Sequence, residues 1–239
     1  MPVRAAMQVA GGPRYRLLEG LSEDDREAVL AAAALRQFST SSLITEQGAA
    51  ASHFYLLVSG CVRLFYTTAE GRKILLIWIA PGEVFGGVTL LAKPRSYMVS
   101  AESVKDSKAL VWTRASIRGF AEKYPHIRDN AMTVAGEYVE WYMKAHMALT
   151  CYTARERLAE VLLGLARAIG EKQTGGIAID VRNEDLANAA NITPYTASRL
   201  MSQWQKCGAI VKWRGKVMLR RPERLLPKAV ERAPDDRRP

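Results

Sequence analysis

The chain reads as an α+β protein: a helix, a block of short strands, one long helix, and a basic helix pair followed by a hairpin. Three observations carry this. Apolar residues between 42 and 111 come in short β-rich runs separated by Gly and Pro turn signals. After Tyr124–Pro125 the period becomes helical and stays so to about Thr150. Residues 183–224 then carry the caps, turn and hairpin of a winged helix-turn-helix.

Taken in order, residues 1–14 and 227–239 are rich in Pro, Gly, Ala and charge without a period, and are expected to be poorly ordered. Residues 21–38, LSEDDREAVLAAAALRQF, are expected to form one amphipathic helix with Ser22 as its cap and acids in its first turn. The strand-like runs follow: SLITEQG, HFYLLVSG, CVRLFYTT, KILLIWIA, EVFGGVTLLA, YMVSAES and SKALVWT. Turn signals separate them at Ser59–Gly60, Glu70–Gly71, Pro81–Gly82 and Lys93–Pro94–Arg95. Many short strands at this spacing imply a sandwich or roll.

In the long helical stretch, Ile127, Ala131, Val134, Tyr138, Trp141, Ala145 and Ala148 recur by alternating fours and threes, a coiled-coil-like seam. A second apolar line through Met132, Ala135, Val139, Met143 and Met147 flanks the first. One stripe would suit a helix lying wholly on its own domain. Two lines are more than a roll on one side can cover, so the helix is expected to pair with a copy of itself in a homodimer. RERLAEVLLGLARAIG (155–170) is a further helix and begins the last domain.

In residues 183–224, Asn183 is expected to cap a short helix with Glu184 and Asp185 in its first turn and Leu186, Ala187 and Ala190 on its apolar face. After an Asn191–Ile192 turn, Thr193 can cap a second helix with Pro194 at its first position, where no amide donor is lost. Leu200 and Trp204 bury one side of it, and Gly208 closes it. AIVKW and KVMLR, joined through Arg214–Gly215, make a basic hairpin wing. No acid occurs between Asp185 and Glu223, whereas Arg199, Lys206, Lys212, Arg214, Lys216, Arg220 and Arg221 do. A single-sign surface around a short helix pair is the footprint of double-stranded DNA binding.

Composition agrees. After Cys151 there are 17 Lys and Arg against 10 Asp and Glu, so +7 of the formal +10 lies in little more than a third of the 239 residues. The longest apolar run, ILLIWIA at 74–80, is strand-sized, and the start lacks a signal-peptide core, so no membrane association and a cytoplasmic location are expected. Cys61, Cys151 and Cys207 are too scattered for a disulfide framework or a metal site. A metal-dependent enzyme of the β-roll type needs clustered histidines, but the β block has His53 alone. No G-x-S-x-G, Walker loop or H-E-x-x-H occurs either, so no enzyme and no catalytic residue is expected.

Helix, β-roll, long helix and winged helix-turn-helix in this order resemble the Crp/Fnr family of bacterial transcription regulators, over about residues 17–225. The strongest marks are LLVSGCVRLF followed by EGRKILLIWIAPGEVFG, then ARERLAEVLLGLA, then the helix-turn-helix. The resemblance implies an effector-holding antiparallel β-roll (a double-stranded β-helix) over 15–124 and a dimerisation helix over 125–150. A DNA-binding domain over 151–226 and a disordered tail over 227–239 complete it. The dimer helix would pair through Ile127, Val134, Tyr138, Trp141 and Ala145. A two-fold dimer implies a palindromic site with half-sites about one helical turn apart. RNA polymerase stays open as a further partner, and so do activation and repression.

Departures from the family pattern bear on the effector. In cyclic-AMP-responsive members a glutamate after the FG of the roll holds the ribose, and an Arg–Ser pair holds the cyclic phosphate. Here the residues after the Phe are Gly86 and Gly87, with Gly87 at the glutamate position. Arg95 and Ser96 stand where the pair would, after a shorter loop, and the family's Thr–Ser pair that meets the base falls at Tyr142–Met143. Losing a buried acceptor for a ribose hydroxyl is expensive, so an effector other than cyclic AMP is expected. The oxygen-sensing branch carries an N-terminal cysteine cluster, but no cysteine precedes Cys61, so no iron–sulfur cluster is expected. A haem-based gas sensor of the same fold is kept as an alternative, through His146, Met143 and Met147. From a different class, so is an effector-binding roll without DNA-binding function.

For the DNA, the exposed face of the second helix offers Tyr195, Ser198 and Arg199, with Gln203 farther along. Arg199 suits a bidentate contact to guanine. The family's Glu-x-x-Ser-Arg is Tyr195-x-x-Ser198-Arg199 here, which puts the base read by the glutamate in doubt. Thr193, Thr196, Lys212, Arg214 and Lys216 are expected to contact phosphates.

Overall fold

The computed structural model describes residues 15–93 and 95–226. The two tails expected to be poorly ordered, the Pro94 position of one turn signal, and the side chains of Ala145 and Ala148 lie outside the described residues. The chain forms two compact units that divide at Lys144 and Ala145, inside the long helix.

In the first unit, Ser22 caps helix α1 (Glu23–Ala31) as expected, with the Asp25 amide donating to its hydroxyl at 3.2 Å. The expected helix over 21–38 is too long, however. Residues Ala34–Phe38 form strand β1, paired antiparallel with Ser107–Val111 of β6 (Ser100–Thr113). Alanine-rich helix propensity, worth a few tenths of a kcal/mol per residue, yields there to a tertiary ladder.

The remaining strands are β2 (Leu43–Thr45), β3 (His53–Thr67), β4 (Lys73–Ile79) and β5 (Val84–Phe85). Their sheet runs β1-β6-β3-β4, with β2 on β6 and β5 on β3. Here too the expectation of separate short strands is corrected. HFYLLVSG and CVRLFYTT are one strand, and most of YMVSAES joins SKALVWT in another. Ser59–Gly60 is an irregularity within β3, where the register with β6 shifts. Gly60 takes φ +95°, and a Cβ there would fall 2.2 Å from Ser107 Oγ. The buried Ser107 hydroxyl fills that space, accepting from Cys61 N at 3.1 Å and bonding the carbonyl of Lys105 at 2.7 Å. The side chain thus replaces ladder bonds that the bulge interrupts.

Both faces of β3 and β6 are covered, which explains why their apolar runs are nearly continuous. Phe54, Leu56, Leu110 and Trp112 join Leu17, Leu18, Val29, Leu30, Ile117 and Ile127 on one side. Their sequence neighbours Tyr55, Leu57, Ala109 and Val111 join Val62, Ile79, Phe85 and Tyr97 on the other. Trp112 Nε1 donates to Val29 O at 2.8 Å, so its indole is satisfied within the core.

Helix α2 (Arg114–Lys123) leads into α3 (Pro125–Cys151). Here the expected pairing seam is corrected in its first half. Ile127 and Val134 are buried in the roll's own core, and Ala131 and Tyr138 pack against it. Tyr138 touches both core clusters, and its hydroxyl donates to Val84 O at 3.1 Å. The flanking line is the free one: Met132, Val139, Met143 and Met147 are each more than 60% exposed.

Arg63, Lys73 and Glu102 make a partly buried charge cluster across β3, β4 and β6. Arg63 reaches Glu102 at 2.7 Å and Lys73 reaches it at 3.2 Å. Burial alone would push the Glu102 carboxyl up, but the two cations outweigh it and hold the group below the usual carboxylate range. A depressed carboxyl stabilises the fold above its unfolded pKa and loses that contribution as pH falls through the folded value. Glu102→Gln should therefore destabilise the protein by about 1.5–3 kcal/mol at neutral pH. In urea unfolding the gap between variant and native protein should shrink as the buffer is taken through the acid range.

In the second unit the end of α3 is followed by α4 (Ala154–Ile169), which starts with a reciprocal capping box between Thr153 and Glu156. Strands β7 (Glu171–Gln173) and β8 (Gly176–Asp180), which the sequence reading did not anticipate, precede α5 (Asn183–Ala189) and α6 (Pro194–Lys206). Strands β9 (Ile210–Trp213) and β10 (Lys216–Leu219) complete a sheet of order β7-β8-β10-β9.

Candidate nucleic-acid interface

Asn183 does not cap α5: Arg182 occupies that position without a side-chain bond, and Asn183 is the first helical residue. From inside the first turn, a side chain is no longer placed to accept from the free amides as a cap does. The Asn183 amide instead donates to Pro194 O at 3.1 Å, tying α5 to the start of α6. Between the helices Asn191 takes φ +48°, a left-handed conformation that Asn tolerates better than most residues. Arg157 on α4 braces that turn, donating to Ala190 O at 2.9 Å and to Asn191 O at 3.4 Å. Sequence reasoning missed this arginine because its partners are backbone carbonyls.

Helix α6 begins as expected. Thr193 accepts from Thr196 N at 3.1 Å, and Pro194 takes the first position. Ala197, Leu200, Met201 and Trp204 are buried at helical spacing. Tyr195, Ser198, Arg199 and Gln203 are exposed, Tyr195 at 78%. Thr196 is half-buried and its hydroxyl meets that of Thr193 at 2.9 Å. Gln203 is tethered, accepting from Arg155 Nη1 at 3.4 Å. Within the first turns of α6 itself the exposed polar residues are therefore Tyr195, Ser198 and Arg199.

The wing is a tight hairpin: Trp213 pairs with Lys216 across Arg214–Gly215, and Gly215 takes φ +74°. Its cations divide by role. Lys212 Nζ donates to Ser202 Oγ on α6 at 3.0 Å, and Lys216 Nζ faces Asp180 on β8 at 3.4 Å. Both brace the wing, whereas Arg214 is exposed on the loop. Asp180 could not be foreseen as a partner because β8 itself was not.

In the first unit the residues matched to an effector pocket fall into three places. Gly86 takes φ +78°, and a Cβ there would lie 2.8 Å from His53 O, so the backbone requires glycine. At Gly87 a Cβ would meet nothing within 4 Å. Arg95 and Ser96 are exposed; Arg95 O accepts from Ala51 N at 2.9 Å, and Ser96 bridges to Ala50. Tyr142 and Met143 are exposed on α3. Between them in sequence, Tyr97 is buried, and its hydroxyl accepts from His53 N at 2.9 Å and donates to His53 O at 2.8 Å. Tyr55 stacks on Phe85 beside it, with ring centroids 4.6 Å apart. His146 and Met147 are exposed, and no group of three His, Cys, Asp or Glu able to hold a metal occurs among the described residues.

Comparison with known proteins agrees with this layout. The cyclic nucleotide-binding domain profile matches residues 35–124 and the Crp-like helix-turn-helix domain profile matches residues 156–227. The chain is 29% identical over 205 residues to the cyclic AMP receptor protein of Thermus thermophilus, covering 85% of this chain and 92% of that protein. Among solved structures, FixK2 from Bradyrhizobium japonicum superposes with a TM-score of 0.70 at 23% identity, over 81% of this chain and 95% of that one. The c-di-GMP-responsive regulator CLP from Xanthomonas campestris gives 0.71 at 17% identity, over 83% and 99%. At these identities the two structures share the fold alone.

Arg199→Ala should cost about 1–3 kcal/mol on a specific duplex and flatten discrimination at one base pair, measured by competition between single-substituted sites. Arg214→Ala should weaken all sequences alike and lower the salt slope by about 0.9, more than Lys216→Ala does.

Proposed function

The chain belongs to the Crp/Fnr family of transcription regulators, and we propose that it works as a homodimer on a palindromic DNA site under an effector other than cyclic AMP. The observation that carries the DNA contact is α6. Its apolar face is buried, its Tyr195, Ser198 and Arg199 are exposed, and no acid falls in residues 186–222. A helix of this kind places the first turns of its free face against base edges in the major groove, with Arg199 on guanine. Thr193, Thr196 and Arg214 would set register on phosphates.

The homodimer rests on α3. Its Met132, Val139, Met143 and Met147 recur at helical spacing and are exposed, while Ile127, Ala131, Val134 and Tyr138 of the other line pack on the chain's own roll and Trp141 stays exposed. A second copy of the helix covers such a stripe by burying it against its like.

Two features support an effector unlike cyclic AMP. No carboxylate stands at Gly87 to accept from a ribose, although a side chain there has room. Tyr55, Phe85 and Tyr97 occupy one face of the roll sheet with large aromatic groups. A target of duplex DNA implies work in the cytoplasm. No described helix is long and apolar enough to cross a membrane.

The test is binding to a palindromic family-type duplex with and without cyclic AMP, cyclic di-GMP or haem, while the visible spectrum is recorded. Binding that ignores cyclic AMP is expected, and a cyclic-AMP requirement would overturn the reading of Gly87. Val139→Glu and Met143→Glu should each yield monomers in sedimentation and lose affinity for the palindrome but not for the isolated half-site. A dimer that survives both would sink the proposed interface.

A further inference from the structure

We propose that Trp213 is a DNA contact outside the bases read by α6, laying its indole against the sugar–phosphate wall that flanks the half-site. This rests on the reading of the second unit as a duplex-DNA binder.

The first support is rigidity. Trp213 is 52% exposed, yet it ends a strand of a hairpin held on several sides. Lys212 Nζ bonds Ser202 Oγ on α6 at 3.0 Å, Lys216 pairs with Asp180 at 3.4 Å, and Gly215 O accepts from Val181 N at 3.0 Å. The strand end that carries this large side chain is thus held in place on the wing, which lowers the ordering cost of any contact it makes.

Charge then selects the partner. Exposed Arg214 is next in sequence, and no acid falls in residues 186–222. Asp180, the carboxylate across the sheet, is already engaged by Lys216. A flat aromatic next to an exposed guanidinium in an acid-free segment fits a polyanion that also offers apolar surface. Deoxyribose between phosphates is such a surface.

Strand geometry places the contact. Successive strand residues point to opposite faces. Lys212 points to α6, so Trp213 lies on the other face, with its cross-strand neighbour Lys216. The indole therefore does not extend the α6 face, and a contact it makes with the duplex falls on a stretch outside the bases met by that helix.

The experiment compares wild-type protein, Trp213→Ala, Trp213→Phe and Arg199→Ala. Each is tested on a duplex with long flanks and on one trimmed at the edge of each half-site, across a salt series. On long flanks Trp213→Ala should bind about tenfold more weakly with an unchanged salt slope, since an aromatic contact releases no counterion. Trp213→Phe should retain most of the affinity. On the trimmed duplex wild type should fall toward Trp213→Ala. Equal affinity of wild type and Trp213→Ala on both duplexes, with Arg199→Ala still losing site preference, overturns this inference and leaves the DNA reading intact. Failure of wild type to bind any duplex at low salt would overturn both. An unchanged melting temperature in Trp213→Ala separates a lost contact from a damaged fold.

Discussion

A helix can read base edges only if its opposite face is held firmly, and Trp204 supplies much of that hold on α6. Its indole is fully buried, and Nε1 donates to Leu225 O at 3.1 Å. Arg155 lies over the ring at 5.4 Å, donates to the same carbonyl at 3.2 Å, and reaches Gln203 on the exposed side. Trp204 O accepts from Ala209 N at 2.9 Å, where the chain turns into the wing. One residue therefore links α4, the recognition helix, the wing and the end of the domain. Truncating a buried tryptophan of this kind costs about 3–5 kcal/mol, and the aim of Arg199 depends on the same contacts.

The long helix answers to a comparable constraint in the first unit. Tyr138 packs against both core clusters and donates to Val84 O, and Glu137 beside it pairs with Arg16. Burial holds the Tyr138 phenol above its ordinary range, so it remains a protonated donor. Asn130 adds two bonds, to Leu17 O at 3.1 Å and Glu19 O at 2.9 Å. These contacts fix the rotation of α3 about its axis. The roll thereby chooses which apolar line it keeps and which it leaves exposed.

That choice marks the limit of what periodicity could show. The two lines of α3 were both legible, but their assignment depended on shape complementarity with strands far away in sequence. The caps at Ser22 and Thr193 and the turn at Gly215 were readable because each is decided by a few neighbouring residues. Residues 34–38 were not, since their strand state depends on β6, about seventy residues on. The same holds for the wing cations. Charge and spacing marked Lys212, Arg214 and Lys216, yet only the pairing of β8 with β10 shows that Lys216 is engaged.

Gly86 and Gly87 look alike in sequence and differ in cause. The first is demanded by φ +78° and by His53 O at 2.8 Å from any added Cβ, so it belongs to the fold. The second has open space around it, and nothing in the backbone calls for glycine. Its identity is therefore not set by how the roll folds. Tyr97, by contrast, has a definite structural task. By bonding both the amide and the carbonyl of His53, it ties the segment carrying Arg95 and Ser96 to the start of β3.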